Sequence, residues 1–495
     1  MYFANNSIIT TKNVLAFILS AGMVLQSCSS NFLDVPPQAK EPAVTFFVSE
    51  DDATKAVNSI YANLRVWNQV AFAAIAIESV PSDEAEKGSS PGDATFFNNF
   101  DNFTYTASEG QIQDFWTGQY QSINLCNQVI ENIPPITMDE NLKTRYIAEA
   151  KFVRAYNYFR LVRAFGDVPL RLTLPKSSTE FNIPRTPKEQ VWAAIEQDLT
   201  DAAAVLPTSY PSTDVGRATK GAALALHAKV AMYQKKWNDV LNYTNQVMAL
   251  GYSLFPNFEQ LFRIANENNP ESVFEIQCQS LPNIQGASNS QYSQVQGVRA
   301  QSGGGWGFNV PTEALVNAFE ANDPRRDATI IFRGETTPEG DAVAPTGDNP
   351  RYNQKSYVPF TVPFKQNEGE DQNIRVIRFA EVLLMNAEAA NELGNTAQAL
   401  QSLNRVRLRA RGGNPNILPD VTTTNQDQLR TAIYHERQVE LAMEFDRFFD
   451  VVRQGRGVAV LGSKGFKAGK NEVMPIPQNE IDKSAGTLTQ NVGYN

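Results

Sequence analysis

Histidine is almost missing from this chain: its 495 residues include two, His227 and His435. Imidazole is the commonest metal ligand and the usual general base near neutral pH. A histidine-rich metal centre is therefore excluded, and both histidines fall in helical stretches where a packed structural role is expected. Cysteine is scarce as well, with only Cys28, Cys126 and Cys278. That rules out a disulfide framework and leaves Cys126 and Cys278 as expected small buried hydrophobes. Positive charge is in deficit: 43 Lys plus Arg against 53 Asp plus Glu give a formal net charge of −10. A nucleic-acid partner would select a basic patch and is excluded on this balance.

The common catalytic signatures are missing too. The chain has no His-Glu-x-x-His, no Gly-x-Ser-x-Gly and no Cys-x-x-Cys. Gly469-Lys470 resembles the end of a phosphate loop, but the position of its first glycine holds Lys464 and the following residue is Asn471. Glu436, Glu440 and Glu444 stand four apart on one expected helix. A Glu-x-x-His ligand pair would need glutamate where Ala432 stands, so salt bridges to Arg437, Arg447 and Arg453 are expected instead. No apolar run is long enough to cross a bilayer of about 30 Å. The stretch from Val14 to Leu25, behind the single charge of Lys12, suits the core of a secretory signal.

What the chain does have is helical periodicity. In Lys143 to Leu170, residues Ala148, Phe152, Ala155, Phe159 and Val162 recur at steps of four and three, which places them on one helix face. Lys151, Arg154, Arg160 and Arg163 fall off that stripe and are expected to form a solvated face. Gly166 then supplies a C-cap, followed by Asp167, Val168 and Pro169. The spacing predicts a partner helix from Gln113 to Ile133, closed by Pro134-Pro135. A further pair is predicted from Arg217 to Tyr233 and Asn238 to Leu250. A third runs from Ile374 to Leu393 and Thr396 to about Arg411, with tetratricopeptide wording at Leu393-Gly394. An opening helix from Ser49 to about Asn68 and a last helix from Gln426 to Gln454 complete the set. The intervals are irregular, so these are dispersed repeat-like pairs with long insertions.

Two of the insertions carry aromatics among turn residues. Ser79 to Tyr105 is rich in Gly, Ser, Asp and Asn yet holds Phe96, Phe97, Phe100, Phe103 and Tyr105. Tyr252 to Asn373 is the least helical quarter, with a short strand pattern at Glu271 to Gln277. A Gln/Ser/Gly loop from Ser280 ends in Gly303-Gly304-Gly305-Trp306-Gly307.

Several stretches resemble the SusD/RagB family of nutrient-binding outer-membrane lipoproteins of the Bacteroidetes type. They are RAYNYFRLVRAFGDVPL, ending at Leu170; PRTPKEQVWAAIEQDL, from Pro184 to Leu199; and PTEALVNAFEANDPRRDATI, from Pro311 to Ile330. The helix from Glu436 to Arg456 and the closing VMPIPQ and Gly493-Tyr494 add to them. Leu25-Gln26-Ser27-Cys28 resembles a lipobox, and Leu33-Asp34 before Pro36-Pro37 resembles the family's leader.

The resemblance implies a mostly α, SusD-like fold: dispersed tetratricopeptide-like helix pairs, long loop insertions and a few short strands. It implies a lipoprotein signal peptide at 1–27, an N-terminal helical half at 28–250 and a C-terminal half at 251–495, together one compact body. Cys28 would carry the acyl chains (palmitate-type) that anchor the chain to the outer membrane, facing the cell exterior. The implied role is non-catalytic capture of glycan, as the lid of a SusC-like TonB-dependent transporter, with no cofactor, no metal and no nucleic acid. Oligopeptide cargo on the same scaffold, or a tetratricopeptide-type adaptor, are the alternatives.

A sugar lays its C–H face on an aromatic ring and exchanges hydrogen bonds with amide, carboxylate and guanidinium groups, so glycan-binding residues must be exposed. Trp306 is the first candidate and Tyr292 its loop neighbour. Phe96, Phe97, Phe72 and Trp67 follow, with Asp83, Asn98 and Asn99 as polar partners. Trp116, Trp192 and Trp237 lie in or beside helices and are expected in the core.

Overall fold

A computed structural model describes residues 46–279, 290–362 and 371–494; Cys28 with its lipobox, the signal segment and part of the Gln/Ser loop lie outside the described residues. The first long helix, α1 (Glu50–Asn63), opens on a capping box. Ser49 Oγ accepts from the Asp52 N–H, and the Ser49 N–H donates to Asp52 Oδ2 at 2.9 Å. Its Ala53, Val57 and Ile60 face inward at helical spacing. The scaffold continues with α2 (Gly110–Asn132), α3 (Glu140–Phe165) and α4 (Lys188–Val205). It goes on through α5 (Lys220–Tyr233), α6 (Trp237–Met248), α7 (Phe379–Glu392), α8 (Thr396–Ala410) and α9 (Gln426–Glu440). Helices α2 and α3, α5 and α6, and α7 and α8 pack as the expected pairs, and one apolar core runs through them from Ala53 to Ile476. Cys126 and Cys278 are both buried. Trp116 and Trp192 are buried in that core, and Trp237 packs half-buried against it.

Among the described residues, three two-stranded antiparallel ribbons join the insertions to this scaffold. Strand β1 (Ala85–Gly88) pairs with β3 (Phe308–Pro311), β2 (Ser272–Ile276) with β6 (Ile374–Arg378), and β4 (Ile330–Phe332) with β5 (Arg351–Asn353). Strand β6 corrects the sequence expectation of a helix from Ile374. Ile374, Val376 and Ile377 are β-branched and gain ladder bonds from β2, so the helix starts only at Phe379.

A second correction concerns the arginine side of α3, which is not solvated. Arg154 is buried against Asp198 at 2.8 Å. Arg160 and Arg163 both reach Glu78, at 2.7 Å and 2.6 Å. Glu78 is brought there by a π-helical turn, Ile75–Ser79. Arg163 also meets Asp446 at 2.9 Å, and Lys229 on α5 meets the same carboxylate. Burial alone would raise the Glu78 pKa, but Arg160 and Arg163 outweigh it and hold the group below the usual carboxylate range. Lys151 alone of the four keeps a partly exposed partner, Asp201.

The third correction is the last helix, which stops at Glu440 and resumes only as Arg447–Arg453. Between them Met443 and Phe445 take left-handed backbone, with φ of 65° and 69°. The Met443 N–H donates to the buried Glu84 Oε1 at 2.9 Å. The break lets successive acids face different bases. Glu436 pairs with Arg325 and Arg407, Glu440 with Arg325, Arg378 and Arg409, and Glu444 with Arg378 and Lys355. The salt bridges expected to Arg437, Arg447 and Arg453 therefore do not form, and those arginines take other acids. Arg437 goes to Asp450, Arg447 to Asp83, and Arg453 to Glu388 and Asp450. Among the described residues no group of three or more His, Cys, Asp or Glu is placed to hold a metal ion. His227 is buried and stacked on Tyr243, and burial lowers its pKa to about 4.

Candidate functional site

The β1–β3 ribbon is what assembles the candidate site. Its register sets Gly88 opposite Phe308 and Ala85 opposite Pro311, which carries the Phe-rich insertion to the glycine loop more than 200 residues away. Gly88, at φ 69°, leaves no room for a side chain: a Cβ there would stand 2.4 Å from the Gly307 carbonyl oxygen. Beyond β1 the chain turns through a short helix, Phe97–Asp101, that directs Phe96 and Phe97 back toward the ribbon.

Six rings meet there. Phe72 lies at the centre, with ring centroids 5.0 Å from Trp67, 6.1 Å from Phe96, 5.1 Å from Phe97, 6.0 Å from Trp306 and 4.9 Å from Phe308. Trp67 and Trp306 stand 6.1 Å apart with their planes inclined by 52°. The rings form two layers. Phe97 and Phe308 are buried, whereas Trp67, Phe72, Phe96 and Trp306 remain half-buried over them. Tilted and edge-on contacts of this kind fix each ring by its neighbours.

The glycine run beside Trp306 is tight rather than slack. Gly303 has φ 76° and lies so close to the Phe360 carbonyl that a Cβ would stand 1.9 Å from its oxygen. The Trp306 N–H donates to the Gln294 carbonyl at 2.8 Å. The indole is thus presented on a backbone that cannot shift far, which lowers the entropy cost of binding.

A polar rim borders the Trp306 side. The Ser89 N–H donates to the Gly307 carbonyl, and Ser89 Oγ donates to Asp93 Oδ2 at 2.8 Å. Asp93 pairs with Arg299 at 2.7 Å, and Arg299 Nε donates to Ser90 Oγ at 3.0 Å. Ser90 Oγ in turn donates to Asp348. The Ser89 hydrogen bond, helped by Arg299, holds the Asp93 carboxyl below its ordinary range. Asp93 and Arg299 are both about one-third exposed, so this rim is wet, charged and open to ligand. Sequence reasoning missed Ser90, Asp93, Arg299 and Asp348, because no local spacing connects them.

The candidates named from sequence divide accordingly. Trp67, Phe72, Phe96 and Trp306 come together as the open layer. Phe97 supports them from below and offers no face to a ligand. Asn98 is exposed nearby. Asn99 is committed to Glu109, its Nδ2 donating at 2.8 Å. Asp83 belongs to the scaffold, held by Arg447 at 2.7 Å and 2.8 Å and by Gln438. Tyr292 is buried, 6.0 Å from Phe445, where it lines an interior cavity of about 70 Å³ with Glu78, Arg160, Lys229 and Asp446. The short helix Tyr292–Gln296 turns it inward.

Glu84 sits beneath the site, just before β1. Its carboxyl is buried among Arg447, Asp83 and Lys355, and burial raises its pKa to about 8 despite Arg447. Its Oε2 finds no hydrogen-bond partner among the described residues.

Comparison with known proteins adds the following. The profile described as the SusD family matches residues 270–494, and that described as starch-binding associating with outer membrane matches residues 31–232. SusD-like protein P2 of Formosa agariphila is 29% identical over 95% of this chain and 98% of its own length. A solved structure titled laminarin binding SusD-like protein is 30% identical and covers 90% of this chain and 100% of its own, with a TM-score of 0.79. Surface glycan-binding protein A of Bacteroides thetaiotaomicron, solved with laminarihexaose, reaches a TM-score of 0.75 at 21% identity, covering 90% of this chain and 100% of its own. At that identity the likeness is one of fold.

Proposed function

The chain belongs to the SusD/RagB family, and from that premise we propose that it is a non-catalytic glycan-binding protein of the outer membrane. The observation that carries this reading is the open layer of Trp67, Phe72, Phe96 and Trp306, bordered by Ser90, Asp93 and Arg299. Apolar ring faces beside charged and hydroxyl groups suit a ligand whose own faces alternate between C–H and O–H. The two tryptophan planes diverge by 52° within 6.1 Å, so a ligand touching both must turn between them. The named ligand of one relative is laminarin, which makes a β-glucan the first probe.

In the fuller form of this proposal, Cys28 carries the lipid that tethers the protein to the outer membrane, facing the cell exterior. The protein then captures oligosaccharide or polysaccharide and passes it to a SusC-like TonB-dependent transporter, on which it acts as a lid. A large β-barrel protein retained by the full-length chain after mild detergent extraction would support that partnership.

Calorimetric titration of the mature chain from Ser29 against laminarin, starch, xylan, mannan and a peptide digest tests the cargo. Saturable binding to one glycan is expected, with no release of reducing ends. Trp306→Ala removes one stacking face, on the order of 1.5 kcal/mol, and weakens Kd about tenfold. Binding confined to peptides, or liberated reducing sugar, overturns the proposal.

A further inference from the structure

A groove of about 580 Å³ lies against α2, lined by Trp116, Tyr120, Phe181, Asn182 and Leu488, with Gln121 and Asn124 on its helical wall. It lies across α2 from the aromatic layer. Trp67–Val70 packs on the Gly118 side of α2, where Gln69 Nε2 donates to the Gly118 carbonyl at 2.8 Å. At 100° per residue, Trp116, Tyr120 and Asn124 point to the opposite side of that helix.

The walls come from three separate parts of the chain, each held by specific bonds. Trp116 is edge-on to Phe165 at 5.1 Å and 4.9 Å from Tyr120. The Tyr120 hydroxyl donates to the Pro169 carbonyl at 2.7 Å, fixing where the chain leaves α3. Arg171 then donates to the carbonyls of Glu180 and Phe181, which pins the turn that holds the Phe181 ring over the groove. That ring is 58% exposed, the largest side chain left so open among the described residues. An open ring at the mouth of a cleft leaves one face free for stacking.

The polar chemistry of the groove indicates what kind of partner. Its carboxylate and guanidinium are already engaged: Glu480 accepts from Gln113 at 3.0 Å and the Arg171 guanidinium is turned to main-chain carbonyls, while Lys483, 3.5 Å from Glu480, stands mostly in water at the edge. The groups left over are the amides of Gln121, Asn124 and Asn182, which are exposed and form no hydrogen bond among the described residues. Aromatic faces with free amides and engaged charges fit a neutral polyhydroxylated ligand, and the volume lies in the range of small-ligand clefts. We propose that this groove is a second, independent binding site for a neutral oligosaccharide, with Phe181 as its stacking ring and Gln121, Asn124 and Asn182 as its hydrogen-bonding groups.

The test needs a readout for each site. The five tryptophans of the mature chain are replaced by 5-fluorotryptophan, and each fluorine resonance is assigned by a single Trp→Phe substitution. Trp116 then reports the groove and Trp306 the aromatic layer. The probes are laminarihexaose, maltoheptaose, xylohexaose and mannohexaose, with oligogalacturonate and a tryptic peptide digest as charged and non-sugar controls. The expected result is a saturable Trp116 shift with a neutral oligosaccharide, retained in Trp306→Ala. Its half-saturation concentration should rise about tenfold in Phe181→Ala and in the Gln121→Ala/Asn124→Ala pair. A Trp116 signal unmoved by every neutral sugar overturns this inference; if Trp306 still responds, the proposed function stands without it. A shift seen only with oligogalacturonate or peptides, or lost in Trp306→Ala, overturns it as well.

Discussion

Two regions of this molecule use the same kinds of long-range contact to opposite ends. Around Glu440, acids and bases from five parts of the chain meet with their charges buried, Glu444 alone keeping a partly exposed edge: Glu271, Asp323, Glu436 and Glu444 lie with Arg325, Arg378, Arg407 and Arg409. Around Trp306, strands and loops equally distant in sequence meet with rings half-open and one ion pair, Asp93 with Arg299, left in water. A charge enclosed by partners has nothing left to offer a ligand, while an open ring beside a wet pair does. The difference separates what holds the fold from what can bind.

Glu440→Ala breaks the first region. It leaves Arg325, Arg378 and Arg409 each short of a buried partner, and removing one member of a buried cluster costs about 3–5 kcal/mol. Urea unfolding should show that loss, with glycan affinity of the folded fraction unchanged. The Glu440 charge itself should resist acid. Burial pushes the Glu440 pKa up, but Arg409, Arg378 and Arg325 hold it far below the carboxylate range. A depressed acid stabilises above its unfolded pKa and loses that contribution only as pH falls through the folded value, so the part that Glu440 supplies outlasts the usual carboxylate range.

Glu84→Gln probes the joint between the two regions, where the residue before β1 accepts from Met443 in the break after α9. Its folded pKa is raised from 4.5 to about 8, the opposite case. Between these values the unfolded chain releases a proton that the folded chain retains, so stability falls as pH rises. That slope approaches 1.4 kcal/mol per pH unit from this one group, about 3 kcal/mol between pH 5 and pH 8. The Gln variant lacks the titration, and its stability relative to wild type should climb over the same interval. Parallel stability curves for the two proteins would show that Glu84 does not titrate there.

Much of the scaffold was legible because buried helices repeat their apolar residues every three or four positions. The failures have physical causes. Ile374 to Arg378 runs directly into α7 as one apolar stretch, and periodicity cannot separate a buried strand from a helix end at that length. Leu441-Ala-Met443 reads as continuing helix, and only Glu84, more than 350 residues away, exposes the break. At the site, Trp306 and Phe96 stood out because large rings among Gly, Ser and Asn are locally conspicuous. Tyr292 looked similar and is buried, since the five-residue helix that turns it inward has no strong signature. Asp93 and Arg299 meet only through the β1–β3 register, which no short-range pattern encodes.

That exposed pair yields the smallest and most selective effect. Arg299→Ala removes a guanidinium that touches Asp93 and Ser90 at the edge of the Trp306 loop and supports no buried charge. An exposed pair contributes about 0–1 kcal/mol to folding, so the unfolding midpoint should barely move. Affinity for a glycan resting on Trp306 should nevertheless fall by roughly three- to tenfold, because the rim loses a donor and releases Asp93, whose charge sugar hydroxyls must then satisfy. Trp306→Ala in the same background should then cost less than it does alone, as expected when two groups hold one ligand. Titrating the single and double variants measures that coupling. Strictly additive losses would mean that ring and rim hold the ligand independently; an Arg299→Ala affinity equal to wild type would mean that the rim does not touch it, and the contrast between an open binding region and a closed ionic one would then rest on the rings alone.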